Sequence, residues 1–134
     1  MPALLDLQVD VPETLDEAWA SGVVEAACAG AGRESMVVGV VLTDDATIRE
    51  LNREHRGIDD VTDVLSFSLT EGEEFPSIEG ETAMLGELVI SFETATRQAA
   101  DHERTVGYEV AHLTVHGVLH LQQQLRRTAA ERSS

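Results

Sequence analysis

Residues 84–121 read MLGELVISFETATRQAADHERTVGYEVAHLTVHGVLHL, and this stretch holds the fold in miniature. Met84 to Ile90 reads as a strand. Ser91 is a helix-capping residue, and the helix it opens should reach about Glu103. Thr105 begins a second helix running through Leu121. A strand leading directly into two helices points to helices layered on a sheet.

The rest of the chain follows the same logic. Leu4 to Val9 alternates, with Leu5, Leu7 and Val9 on one face, and predicts an opening strand. Pro12 and Thr14 start a helix to about Ala29, with Leu15, Ala18, Trp19 and Gly22 as its buried stripe and Gly30 and Gly32 as its end. Met36 to Leu42 is β-branched and apolar, a strand covered on both faces. Thr43 is placed to cap the next helix, Asp44 and Asp45 suit its N-terminal dipole, and Ile48 and Leu51 point inward. Val64 to Leu69 alternates again, and Glu71 to Glu81 is an acidic loop broken by Gly72, Pro76 and Gly80. The expectation is an α+β (layered α/β) domain over residues 1–134, with a mixed four-stranded sheet packed with helices.

Charge narrows the function. Twenty-five acids oppose nine bases, all arginine, for a net charge of −16. Such a surface repels phosphate backbones at long range, so a nucleic-acid substrate needs a local positive pocket, a metal or a partner to hold it. The charge is uneven: before residue 122 there are 24 acids and 6 arginines, and after it three arginines and Glu131 alone. A single cysteine, Cys28, cannot form an internal disulfide and reads as a small core residue among Ala26, Ala27 and Ala29. No apolar run approaches a membrane span, and the first ten residues lack signal-peptide character, so a cytoplasmic protein is expected.

Two segments carry candidate chemistry. His112, His116 and His120 recur every four residues on one helix face. The pair His116 and His120 has the spacing that lets two imidazoles reach one metal, although the same pattern also suits hydrogen-bonded core histidines. His112 and His120 lie about 12 Å apart along the axis, too far to share an ion, so His112 is expected to be structural or to support a ligand. The zinc peptidase motif fails, because its general-base glutamate position is Gly117. In the second segment, Leu51 to Phe67, Arg56 is either a phosphate clamp or the partner of Asp59 or Asp60, and His55 reads as a surface residue.

Together these segments resemble the YbeY family of metal-dependent endoribonucleases. The family pattern L-N-x-x-x-R-x-x-D-x-P-T-D-V-L-S-F appears as Leu51, Asn52, Arg56, Asp59 and Thr62 to Phe67, with Val61 in place of the proline. A strand similar to L-G-D-I-V-I-S follows as Leu85 to Ser91, and Glu109 to Leu121 looks like the signature helix. The resemblance covers about residues 36–121. It implies a zinc-dependent single-strand endoribonuclease acting in ribosomal RNA maturation and ribosome quality control. Its partners would be ribosomal RNA and small-subunit components, with no DNA and no membrane. It further implies that His116 and His120 bind zinc with a third histidine, while Arg56 steadies the phosphate.

The resemblance breaks after Leu121. Where the family continues H-L-x-G-Y-D-H, this chain has Gln122-Gln123-Gln124-Leu125-Arg126, so arginine stands at the third ligand position. Arginine stays protonated and cannot bind a metal. Gln123 replaces the glycine of the turn, so continued helix is expected there. The atypical tail, 122–134, is what a truncated, frameshifted or chimaeric end would look like. Zinc binding is therefore expected to be weakened, and the alternative reading is a metal-free, inactive family scaffold that binds a ribosomal partner. If the site exists, Arg56, His116 and His120 should share a cleft, with the acidic charge mostly elsewhere.

Overall fold

The structure, a computed structural model, describes residues 3–30, 37–68 and 84–133. Its elements are β1 (Ala3–Leu7), α1 (Glu17–Gly30), β2 (Val37–Thr43), α2 (Asp45–Arg56), β3 (Val64–Ser68), β4 (Met84–Ser91), α3 (Phe92–Asp101) and α4 (Val106–Ser133). This is the expected α+β order around a four-stranded sheet. The strands lie in the order β1-β2-β4-β3, parallel at β1–β2 and β2–β4 and antiparallel at β3–β4. The acidic loop expected over residues 71–81 lies outside the described residues.

Strand alternation divides the core in two. Val38, Val40, Leu42, Leu88 and Ile90 face one side, where Val24 of α1, Ala95 of α3 and Val110, Leu113, Val118 and Leu121 of α4 bury them. Val41, Leu65 and Val89 face the other side, where Ile48 of α2 covers them with Leu51 and Phe67. β2 is thus sandwiched by helices, as its unbroken apolar run requires. α4 lies close on the sheet because glycine stands at two contact points. A Cβ on Gly117 would come within 2.5 Å of Leu88 Cδ2, and one on Gly86 within 2.5 Å of the Phe67 carbonyl oxygen.

Three local expectations are corrected. α1 begins at Glu17, and its buried face is Ala20, Val24, Ala27 and Cys28, whereas Ala18 and Gly22 are exposed and Trp19 is half-buried. A helix with alanine on every side offers no apolar period to mark its face. Thr43 ends β2, and the cap of α2 is Asp44, whose carboxylate accepts a 2.8 Å hydrogen bond from the Thr47 amide. β1 stops at Leu7, which is 45% exposed at the sheet edge. Ser91 caps α3, accepting from Thr94 N at 3.2 Å, as its position before the helix predicts. Cys28 is a buried free thiol, and burial pushes its pKa up. Among the described residues no helix is long and apolar enough to cross a membrane.

Candidate functional site

Arg56 is the last residue of α2, and the chain after it is tightly held. Gly57 takes a left-handed conformation at φ 70°, and its amide closes the helix onto the carbonyls of Arg53 and Asn52. A side chain at that φ would be strained, so glycine suits this turn. Asn52, buried inside α2, donates from Nδ2 to the Asp60 carbonyl at 3.0 Å and pins the loop. The Asp63 carboxylate then accepts from the Val64 amide at 2.8 Å, and its carbonyl accepts from Ser91 N at 3.0 Å, which starts β3 beside β4.

These constraints build an open cleft of about 870 Å³ along β3, the sheet's edge strand. His55 and Arg56 form one wall, Val64 to Phe67 the floor, and His116, Gly117, Leu119, His120 and Gln123 the other wall. α2 and α4 pack on opposite faces of the sheet, yet both overhang its edge at β3. Arg56, His116 and His120 are therefore brought together, and all three are exposed. Among the described residues no carboxylate lines the cleft, which suits a phosphate site.

Arg56 does not follow its simpler reading. Asp59 pairs with Arg49 at 2.9 Å, and the Asp60 carboxylate accepts from the neighbouring Val61 amide. The ion pairs among the described residues engage Arg49, Arg53, Arg97 and Arg104, and Arg56 is in none of them. Among the described residues, a planar, permanently charged donor fork thus stands at the cleft wall without an ion-pair partner.

His112 falls outside the cleft. It is exposed, with its ring 4.6 Å from that of His116. It is not a core residue, which the apolar helix around it left open.

His55, expected as a surface residue, also belongs to the cleft. It is exposed, but its ring meets Phe67 edge-on at 4.8 Å, inside the cleft. The spacing offers a partial signal: His55 follows the inward-facing Leu51 by one helical turn on the same face, although its partner is not named by it.

A sequence profile described as Endoribonuclease YbeY matches residues 6–123. The chain belongs to the YbeY family. It is 56% identical over 84 residues to the Endoribonuclease YbeY of Desulforamulus reducens, covering 63% of this chain and 55% of that protein. It is 52% identical over 95 residues to that of Symbiobacterium thermophilum, covering 69% of this chain and 61% of the relative. The chain therefore spans less than two-thirds of the length of these relatives. A Thermotoga maritima protein solved in solution shares the fold, with a TM-score of 0.56 at 24% identity over 88% of this chain and 71% of that one.

The zinc site expected of this family is incomplete in the described residues. A catalytic zinc takes three protein ligands and keeps one position open. The family resemblance implies His116 and His120 as two of them, and no group of three or more histidine, cysteine, aspartate or glutamate side chains comes together among the described residues. The backbone gives the reason. α4 runs unbroken from Val106 to Ser133, through the segment where the family pattern turns back. Residue 126 lies about 9 Å along the axis beyond His120 and on another face.

Proposed function

We propose that this cleft is an RNA-cleavage centre in which Arg56 binds the scissile phosphate of a single-stranded RNA, ribosomal RNA in particular. The observation that carries this is the guanidinium of Arg56, in no ion pair among the described residues, across one cleft from His116 and His120 that no described carboxylate lines. Guanidinium hydrogen bonds to phosphate oxygens gain strength as charge develops on them during cleavage. His55 against Phe67 offers an aromatic surface on which an unpaired base can stack, as single-strand binders use. The openness of the cleft suits a polymer threaded across it rather than an enclosed small molecule.

The family resemblance supports a role in ribosomal RNA maturation and ribosome quality control, in the cytoplasm, with small-subunit components as partners. His116 and His120 are the residues that would contribute to a zinc site, and the two do not complete one. Weak zinc binding and slow cleavage follow. A second reading is favoured by that same two-ligand set: a metal-free scaffold that engages a ribosomal partner without cutting. Zinc content of the purified chain separates the two, since stoichiometric zinc is incompatible with the scaffold.

The test is an end-labelled single-stranded RNA incubated with the full chain, with and without added zinc, and resolved on a denaturing gel. Slow internal cleavage that Arg56→Ala lowers by about 100-fold is expected. RNA that is neither bound nor cut at any zinc concentration overturns the reading.

A further inference from the structure

The imidazoles of His112 and His116 stand with ring centres 4.6 Å apart and planes tilted by 46°. Both side chains are exposed on α4, one helical turn apart, and only His116 reaches the RNA cleft. From the geometry we infer that His112 and His116 form a separate two-imidazole site for a late first-row divalent ion, copper(II) or nickel(II) before zinc.

A metal–nitrogen bond of about 2.1 Å puts the ion about 3.2 Å from each ring centre. Two such arms at a right angle span about 4.6 Å, and at a tetrahedral angle about 5.2 Å. The observed 4.6 Å is within the reach of two imidazoles on one ion. Imidazole suits copper(II), nickel(II) and zinc, and copper(II) stands at the top of the order of divalent affinities. No third protein donor joins the pair among the described residues, so water fills the remaining positions, which the exposure of both rings permits. Arg104, in the turn before α4, is occupied: it stacks 5.0 Å over Tyr108 and pairs with Glu109. A chain of net charge −16 concentrates cations around itself and favours the encounter.

The site has a consequence for the cleft. His116 belongs to both pairs, and His112 is about 12 Å along the axis from His120. An ion on His112 and His116 and an ion on His116 and His120 therefore exclude one another. An ion held outside the cleft withdraws His116 from the RNA side. The inference goes beyond RNA cleavage and does not need it, because the ion is read without RNA.

The experiment titrates copper(II), and separately nickel(II), into the untagged full chain and its His112→Ala, His116→Ala and His120→Ala variants by calorimetry. Circular dichroism melts show that each variant is folded, as exposed positions should be. We expect one ion per chain, with copper tighter than nickel and nickel tighter than zinc. His112→Ala and His116→Ala should each weaken copper by more than the 10-fold that marks the low end of mere supporting-residue changes. His120→Ala should leave it within about three-fold, below that same range. Copper affinity unaffected by His112→Ala, a loss in His120→Ala as large as that in His112→Ala, or no binding to the unaltered chain overturns the site. Loss of RNA cleavage in Arg56→Ala with these titrations unchanged leaves both readings standing, and RNA left uncut removes only the first.

Discussion

Arg56 and His116 line one cleft although the helices that carry them pack on opposite faces of the sheet. The relationship depends on β3 being an edge strand, because α2 and α4 can meet only around an edge. It also depends on Gly57 ending α2 where it does, which leaves Arg56 at the rim.

Arg56→Ala is expected to lower RNA cleavage by about 100-fold, the loss typical of one donor to developing charge. Arg56→Lys should restore only part of it, since an ammonium lacks the planar fork. Rate measurements at saturating RNA check this. The thermal midpoint should not move in either variant, because Arg56 is exposed and outside the ion pairs described.

Gly86→Ala should destabilise the chain by about 2–3 kcal/mol, in the range of overpacked cores. The added methyl would stand 2.5 Å from the Phe67 carbonyl oxygen and 2.8 Å from Leu121 Cδ2. The first of these is backbone, so β3 and β4 must move apart. Gly117→Ala meets the Leu88 side chain, its Cδ2, Cδ1 and Cγ, and no backbone in its three nearest contacts, and should cost less. Urea unfolding of the two variants gives the order.

Asp45 gives a pH dependence with a definite sign. Burial alone would raise its carboxyl, but hydrogen bonds from Ser91 Oγ and Thr94 Oγ1 and the ion pair with Arg97 together outweigh it and hold it below the usual range. A depressed folded pKa means stability that is full above the unfolded value of about 4 and lost as pH falls through the folded value. Asp45→Asn should therefore destabilise by about 1–2 kcal/mol at pH 7, and the gap to the unaltered chain should shrink below pH 4. Urea midpoints across that window measure it, and a gap independent of pH would refute the assignment.

Much of this was legible in the sequence, and what was not has physical causes. Strand runs such as Val37 to Thr43 and caps such as Ser91 are local signals, and they placed the elements. The buried face of α1 was not legible, because alanine surrounds the helix and the face is set by which sheet it meets. Of the cleft, Arg56, His116 and His120 were legible from spacing and resemblance. His55 against Phe67 was not, because their contact exists only once β3 pairs with β4 at the edge and α2 covers it.

Gln122 is the sharpest cost in the core. It is 2% exposed, and neither its Oε1 nor its Nε2 has a hydrogen-bond partner among the described residues. An unpaired buried amide costs about 1–3 kcal/mol. Gln122→Leu, close in volume and apolar, should raise stability by about 1–2 kcal/mol on that same scale. A lower thermal midpoint in this variant would mean that the amide is paired after all.

The last prediction concerns why the cleft lacks a third ligand. Two things separate this chain from a three-histidine site: the residue type at 126, and a backbone that stays helical through it. Arg126→His corrects only the first. On a continuous α4 the new imidazole would sit about 9 Å along the axis from His120 and about 240° around it, out of reach of an ion held by His116. Gln123→Gly corrects only the second, by lowering helix propensity about 1 kcal/mol and allowing the positive φ of a sharp exit. It then presents no donor. Each single change should therefore leave zinc affinity within about three-fold of the unaltered chain, since neither completes the set of three protein ligands. The double variant should gain well over 10-fold, a coupling that independent sites would not show. Zinc titrations of the four proteins close the cycle. Tight zinc binding by the unaltered chain, or gains that simply add, would mean that the unbroken helix is not what keeps the third ligand away.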